Sequence, residues 1–257
     1  MKQHSIPFIC FLILTSLSYQ AIACSDYQSN ASCQLPNKAD SYKLALSWQP
    51  AFCKTHKGKP ECKITDNNAY QASNFTLHGL WPNKRECGIN YGQCGQNKQQ
   101  VRSFCDYQPV PMKPDTVKNL GEVMPSVAGG SCLDRHEWYK HGTCQTDWDA
   151  DGYFDTAVRL VKEFNQQGMA DFMKQNMGKT VETAAFLNAV NQAFGQNASQ
   201  RISLACDRNG NLVDVFINLP RQIPANTALK TLIQQAPESF SNRCGKSFTV
   251  DAIAYSR

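Results

Sequence analysis

Phe75-Thr76-Leu77-His78-Gly79-Leu80-Trp81-Pro82 reads as a short apolar strand, Phe75 to Leu80, that ends at Trp81-Pro82 and carries one histidine. Upstream, Tyr42-Lys43-Leu44-Ala45-Leu46-Ser47-Trp48 is apolar enough for a central strand. Residues 49–74 between them are loop-like, with Pro50, Gly58, Pro60 and several Asn. Downstream, 83–114 is a long insertion holding Cys87, Cys94 and Cys105, and a loop of that length calls for cross-linking or function. Short helices are predicted over 115–123 and 132–141, and a longer one over 150–166 with Phe154, Val158, Val161 and Phe164 near helical spacing. Another, over 182–194, carries Phe186, Leu187, Val190 and Phe194. Strands return at Ile202–Cys206, Leu212–Leu219 and Ser247–Ile253. The mixture predicts an α+β fold, an antiparallel sheet with helices packed on it.

The N-terminus has the parts of a secretory leader: Lys2, an almost wholly apolar run from Ile6 to Leu17, and Ala21-Ile22-Ala23 as a small-x-small cleavage site. The apolar run is about a dozen residues, short for a bilayer span. No later segment is apolar enough to cross a membrane. The expectation is a signal peptide over 1–23 and a single domain over 24–257. Of twelve cysteines, eleven follow that site. So many imply disulfides, and hence the periplasm or the exterior. The closely spaced cysteine pairs of a zinc ribbon are absent. Eleven is odd, so Cys24 is expected either to carry a lipid or to pair with Cys33 and leave a free thiol elsewhere. The net charge of +5 is mild; it is compatible with a polyanionic substrate without demanding one.

Three of the histidines beyond the leader lie in two compact segments. One is the strand that opens this section. The other is His136-Glu137-Trp138-Tyr139-Lys140-His141-Gly142-Thr143-Cys144. On a helix Glu137, Lys140 and His141 stand at i, i+3 and i+4 and share one face, with His136 on the flank and Gly142 as a terminator. Taken alone, such a triplet reads as a solvated helix face with a Glu–Lys pair; Trp138 and Cys144 point instead to an anchored, partly buried helix. A metal site is the competing reading, but His136 and His141 are five apart rather than four, and Lys140 would repel a cation. His56 sits in a Lys-rich loop and reads as a solvated side chain. Two imidazoles and a lysine suit RNA cleavage: the substrate brings its own nucleophile, the 2′-hydroxyl. Imidazoles can hold opposite protonation states near neutrality, and Lys140 supplies fixed charge to a crowded phosphorane. No metal or cofactor is required.

Both segments resemble the two signature motifs of the RNase T2 family of secreted endoribonucleases, in the right order. The resemblance extends from about Tyr42 to the C-terminus, and Tyr42–Phe52, Glu122-Val123-Met124-Pro125 and Cys244-Gly245-Lys246 look like its bacterial periplasmic branch. It implies an α+β fold and cleavage of single-stranded RNA through a 2′,3′-cyclic phosphate, with broad base specificity and no cutting of DNA. It implies His141 as general base and His78 as general acid, with Lys140 and Glu137 stabilising the phosphorane. His136 would contact phosphate and Trp81 would stack on a base. Asn83 stands at a base-side position where fungal members often carry Asp, so no carboxylate-set purine preference is expected there. Cys206 is expected to pair with Cys244, and Cys144 with Cys94 or Cys105. The chain is expected to act as a monomer. A catalytically inactive RNA-binding or toxin-like protein on the same scaffold is the alternative; it calls for loss of a catalytic histidine, and both are present.

Overall fold

Tyr42, Leu44 and Leu46 point every second residue of one strand into the interior, each at most 1% exposed, and the rest of the fold is arranged around that strand. The computed structural model describes residues 31–63, 66–95 and 101–252. The leader, Cys24 and Ile253 lie outside the described residues. In chain order the elements are β1 (Ser41–Ser47), α1 (Gln49–Thr55), α2 (Tyr70–Ser73), β2 (Thr76–Asn83), α3 (Pro114–Val123), α4 (Pro125–Gly129), α5 (Leu133–Lys140), α6 (Ala150–Phe164) and α7 (Ala170–Gln175). There follow β3 (Thr180–Glu182), α8 (Thr183–Phe194), β4 (Ile202–Cys206), β5 (Leu212–Pro220), α9 (Leu229–Gln235), β6 (Ser241–Asn242) and β7 (Ser247–Thr249).

The main sheet has the order β2-β1-β5-β4-β6. It is antiparallel except for a short parallel contact of β4 with β6. Its inner face is made by Leu77, Leu80 and Pro82 on β2, Tyr42, Leu44 and Leu46 on β1, and Val215, Ile217 and Leu219 on β5. The long helix α6 covers that face with Phe154, Val158, Val161 and Phe164, and its first turn is capped by Asp149, whose Oδ1 accepts the Gly152 N–H at 2.9 Å. The α+β expectation therefore holds, with three differences. The chain does not leave the helix at 166: Asn165–Met169 forms a wider turn kinked at Gly168 (φ +93°) and runs on into α7. The polar Gln166-Gln167-Gly168 run hides this continuation. The last strand does not join the main sheet but pairs with β3 in a separate two-stranded one. The supposed loop 49–74 holds two short helices and a small ring closed by Cys53–Cys62.

Five disulfides join all ten described cysteines. Cys206 pairs with Cys244 as expected, and of its two candidate partners Cys144 takes Cys94. Cys33 bonds Cys87, which overturns a Cys24–Cys33 bridge and leaves Cys24 without a partner among the ten. The insertion after β2 is tied at Cys87, Cys94 and Cys105, the last to Cys132 at the start of α5. No helix among the described residues is long and apolar enough to cross a membrane.

Candidate active site

His78 owes its position to a break in strand pairing. Ala45 of β1 lies opposite Gly79 and Leu46 opposite Leu77, so His78 is an extra residue with no partner across the pair. A bulge of this kind re-aims a side chain and shifts the inside–outside alternation by one. It lets both Leu77 and Leu80 face the core while His78, Gly79 and Trp81 face the other side. The entrance to the strand is fixed by buried Asn165, whose amide accepts the Phe75 N–H and donates to the Phe75 carbonyl, both at 2.9 Å.

The second group comes from α5, which packs against β2 at the edge of the sheet. Trp138 turns inward onto Tyr153 and Phe154, so Glu137 and His141 face the strand. Glu137 is 1% exposed and accepts a hydrogen bond from the Trp81 indole N–H at 2.7 Å. A β-carbon at Gly79 would overlap that carboxylate, so the glycine is required by the close approach of helix and strand. Gly142 is likewise a matter of space. It lacks the left-handed φ of a terminating glycine, and a β-carbon there would run into the Trp138 ring; the helix ends earlier, at Lys140.

The insertion clamps the outer side of α5. The Gln93 N–H donates to the Lys140 carbonyl at 2.6 Å. Arg135 donates to the Cys105 and Tyr107 carbonyls at 3.0 and 2.8 Å. Phe104 stacks on His136 with ring centres 4.1 Å apart.

These constraints place Trp81 between the two motif histidines: its ring stacks on His141 at 5.0 Å and meets His78 edge-on at 5.3 Å. His136 lies 6.3 Å from His141. His78 Nε2 is 4.0 Å from Glu137 Oε1, and its Nδ1 is 3.6 Å from Asp214 Oδ1, just beyond a hydrogen bond. The Ser47 hydroxyl donates to that same Asp214 oxygen at 2.6 Å. Asn83 follows Trp81 on the same strand face, its amide donating to Ser41 Oγ at 3.0 Å.

The electrostatics separate the imidazoles. For His78, burial opposes the charged form, but the Asp214 contact and the Glu137 carboxylate outweigh it, and the net shift is upward. His141 is pushed well below the ordinary imidazole value by burial and then by Lys140, His136 and His78. His136 is lowered to about 4 by burial, Lys140 and His78. Burial lifts Glu137 to about 7 against the pull of His78, the Trp81 N–H and Lys140. One imidazole thus keeps its proton to higher pH than a free histidine would, and another gives it up at lower pH.

The spacing argument against a shared ligand set does not survive. Donor atoms of His136, Glu137 and His141 lie within 4.8 Å of one another, because His141 (φ −114°, ψ −52°) stands past the last helical residue and is not bound to the helical face. The charge of Lys140, which depresses both imidazoles, opposes a cation there.

Residues 39–234 match the Ribonuclease T2 family. The chain belongs to that family. It is 30% identical over 239 residues to Ribonuclease I of Escherichia coli (strain K12), a match covering 84% of this chain and 87% of the relative. It is 26% identical to Ribonuclease Rh of Rhizopus niveus, over 80% of this chain and 82% of that one. Among solved structures, Actibind, described as a T2 ribonuclease, superposes with a TM-score of 0.57 at 17% identity, over 87% of this chain and 92% of its own. As an RNase T2-type enzyme the chain has its two motifs brought together by the edge contact of β2 and α5. Sequence reasoning missed Asp214, whose signal is a lone carboxylate between Val213 and Val215 in an apolar strand. It also missed Phe104, an aromatic beside a cysteine in the insertion.

Proposed function

We propose that the chain is an exported endoribonuclease that cleaves single-stranded RNA by metal-independent transphosphorylation with broad base acceptance. The opposite tuning of His78 and His141 around one indole ring supports this reading above all else. Neutral His141 takes the proton of the 2′-hydroxyl. The 2′-oxygen bonds to phosphorus, the P–O5′ bond breaks, and protonated His78 passes its proton to the departing 5′-oxygen. The products are a 2′,3′-cyclic phosphate and a 5′-hydroxyl. Lys140 stabilises charge on the phosphoryl oxygens; Glu137, near its midpoint at neutrality, orients them; His136 binds phosphate. Trp81 and Asn83 border the nucleotide whose 2′-oxygen attacks, and the departing nucleoside lies on the His78 side. A leader over 1–23 and one catalytic domain over 24–257 accord with five disulfides, which persist in oxidising compartments.

The test is incubation of purified protein with RNA in excess chelator, with identification of the ends formed. Cyclic phosphate ends are expected, and a single 2′-deoxy substitution should block its own bond. Cleavage of an all-deoxy strand, or dependence on added metal, refutes the mechanism. For the two roles, an aryl ester of a nucleoside 3′-phosphate carries a good leaving group and needs little acid, so it should partly rescue His78→Ala and not His141→Ala. The reverse pattern exchanges the roles.

A further inference from the structure

Beside His78 and His136 lies a cavity of about 410 Å³ whose wall is shared by Phe104, the Cys53–Cys62 ring and α4. Its volume is that of an ordinary small-ligand site. Glu61, from the ring, lines this cavity. The residue is 6% exposed, and its Oε2 is buried with no hydrogen-bond partner. Its neighbours on the ring are engaged elsewhere: the Lys59 ammonium sits over the Phe104 ring at 5.7 Å, and His56 Nδ1 lies 3.0 Å from the Phe52 carbonyl. Nor is the segment free to withdraw, because it lies tight against Gly129, where a β-carbon would come within 2.9 Å of the Glu61 backbone nitrogen. A buried carboxylate oxygen without a donor costs stability, and here it stands in the wall of a cavity that opens beside the site.

We propose that, within a site that accepts every base, Glu61 ranks the bases of the departing nucleoside by accepting hydrogen bonds from their donor edges, and that guanine is cleaved fastest. An ionised carboxylate only accepts. Guanine presents two neighbouring donors, N1–H and the N2 amino group, which match the two oxygens of one carboxylate. Uracil offers a single N–H between two carbonyl oxygens that repel it. Adenine and cytosine each offer an amino group beside a ring acceptor. Phe104 and Phe52 supply apolar walls for the ring plane. The inference rests on the catalytic reading above, since it places the departing nucleoside on the His78 side.

The experiment compares kcat/KM for dinucleoside phosphates that share the first nucleoside and differ in the second. Guanosine should exceed uridine by roughly 10–100-fold, the range expected for hydrogen bonds to a charged acceptor. Replacing guanosine with inosine, which lacks the N2 amino group, or with 1-methylguanosine should remove most of that advantage in the unaltered protein. Glu61→Gln should collapse the guanosine-to-uridine ratio towards one. A ratio near one in the unaltered protein, or a ratio unchanged by inosine and by Glu61→Gln, overturns the proposal. Calorimetric binding of 5′-GMP against 5′-UMP needs no turnover and reads the same preference. Failure to cleave any dinucleoside phosphate while 5′-GMP is still preferred would instead sink the catalytic reading.

Discussion

Substituting alanine for Gly79 isolates the contact on which the site is assembled. The backbone of Gly79 is not in the left-handed region, so alanine is conformationally acceptable and the whole penalty is steric. The new methyl group would overlap Glu137 Oε2 and lie 2.6 Å from the Trp81 indole nitrogen. Glu137 is 1% exposed and cannot step aside into water. Displacing it breaks the 2.7 Å bond from Trp81, worth about 1.5–3 kcal/mol for a charged acceptor, and strands a buried carboxyl at about 1–3 kcal/mol. Partial relaxation makes the sum an upper bound, so a loss of about 2–4 kcal/mol is expected. Activity should fall about 100-fold, the typical cost of an ångström-scale misplacement. The assay is a double-mutant cycle on unfolding free energy with Gly79→Ala, Glu137→Ala and the pair. Removing the carboxylate makes room for the methyl group and frees the indole, so the two losses should be strongly non-additive, with a coupling of at least 1 kcal/mol. Additivity within about 0.5 kcal/mol would refute the argument that the glycine exists to admit Glu137.

Asp214→Asn removes a carboxylate that holds the His78 proton. Because that group raises the value, its loss should move the alkaline limb of the kcat/KM profile to lower pH and leave the acidic limb in place; an unmoved alkaline limb contradicts the role given to Asp214. His136 is depressed to about 4 in the folded protein, so the stability it contributes is present above its ordinary value near 6.5 and is lost as pH falls through about 4. His136→Phe, which keeps the stack on Phe104, should therefore show a shallower drop in denaturant midpoint between pH 7 and pH 4. An equal drop in both proteins would show that His136 is not buried in its neutral form. Replacing Cys94 and Cys144 with serine should cost ~2–5 kcal/mol and lower kcat, since their bridge holds the insertion against the end of α5. Unchanged thermal unfolding would speak against that clamp.

Much of the site was legible because its chemistry is local. His78 and Trp81 fall on one strand, and Glu137, Lys140 and His141 lie within five residues at the end of α5, so short motifs contain them. Asp214 was not legible, since it reaches His78 only through the pairing of β1 with both β2 and β5, a relation of distant segments. The bulge left a trace that went unread. Buried apolar residues run through odd positions at Phe75 and Leu77 and through even ones at Leu80 and Pro82, and such a change of parity inside a strand requires an extra residue. The continuation of α6 into α7 was missed because a glycine amid polar residues looks like an end. Here the Asn165 side chain bonds the backbone of Phe75, at the entrance to β2, instead of capping a terminus.

The unpaired residue in β2 also sets what kinds of change a lineage can accept. Side chains along this strand can be exchanged one at a time, each with a local penalty. The number of residues cannot change. Deleting a single codon between Leu77 and Leu80 would restore ordinary alternation and keep Leu80 and Pro82 inward, but it would leave one outward position where the site needs both the imidazole of His78 and the bare backbone of Gly79. Adding one with the bulge in place would turn Leu80 and Pro82 out towards the cleft and drive Trp81 and Asn83 into the interior that α6 now fills. Insertions and deletions among descendants of this gene should therefore collect in the disulfide-tied segment after Asn83 and avoid Thr76–Pro82, where the count of residues is as fixed as the histidine itself.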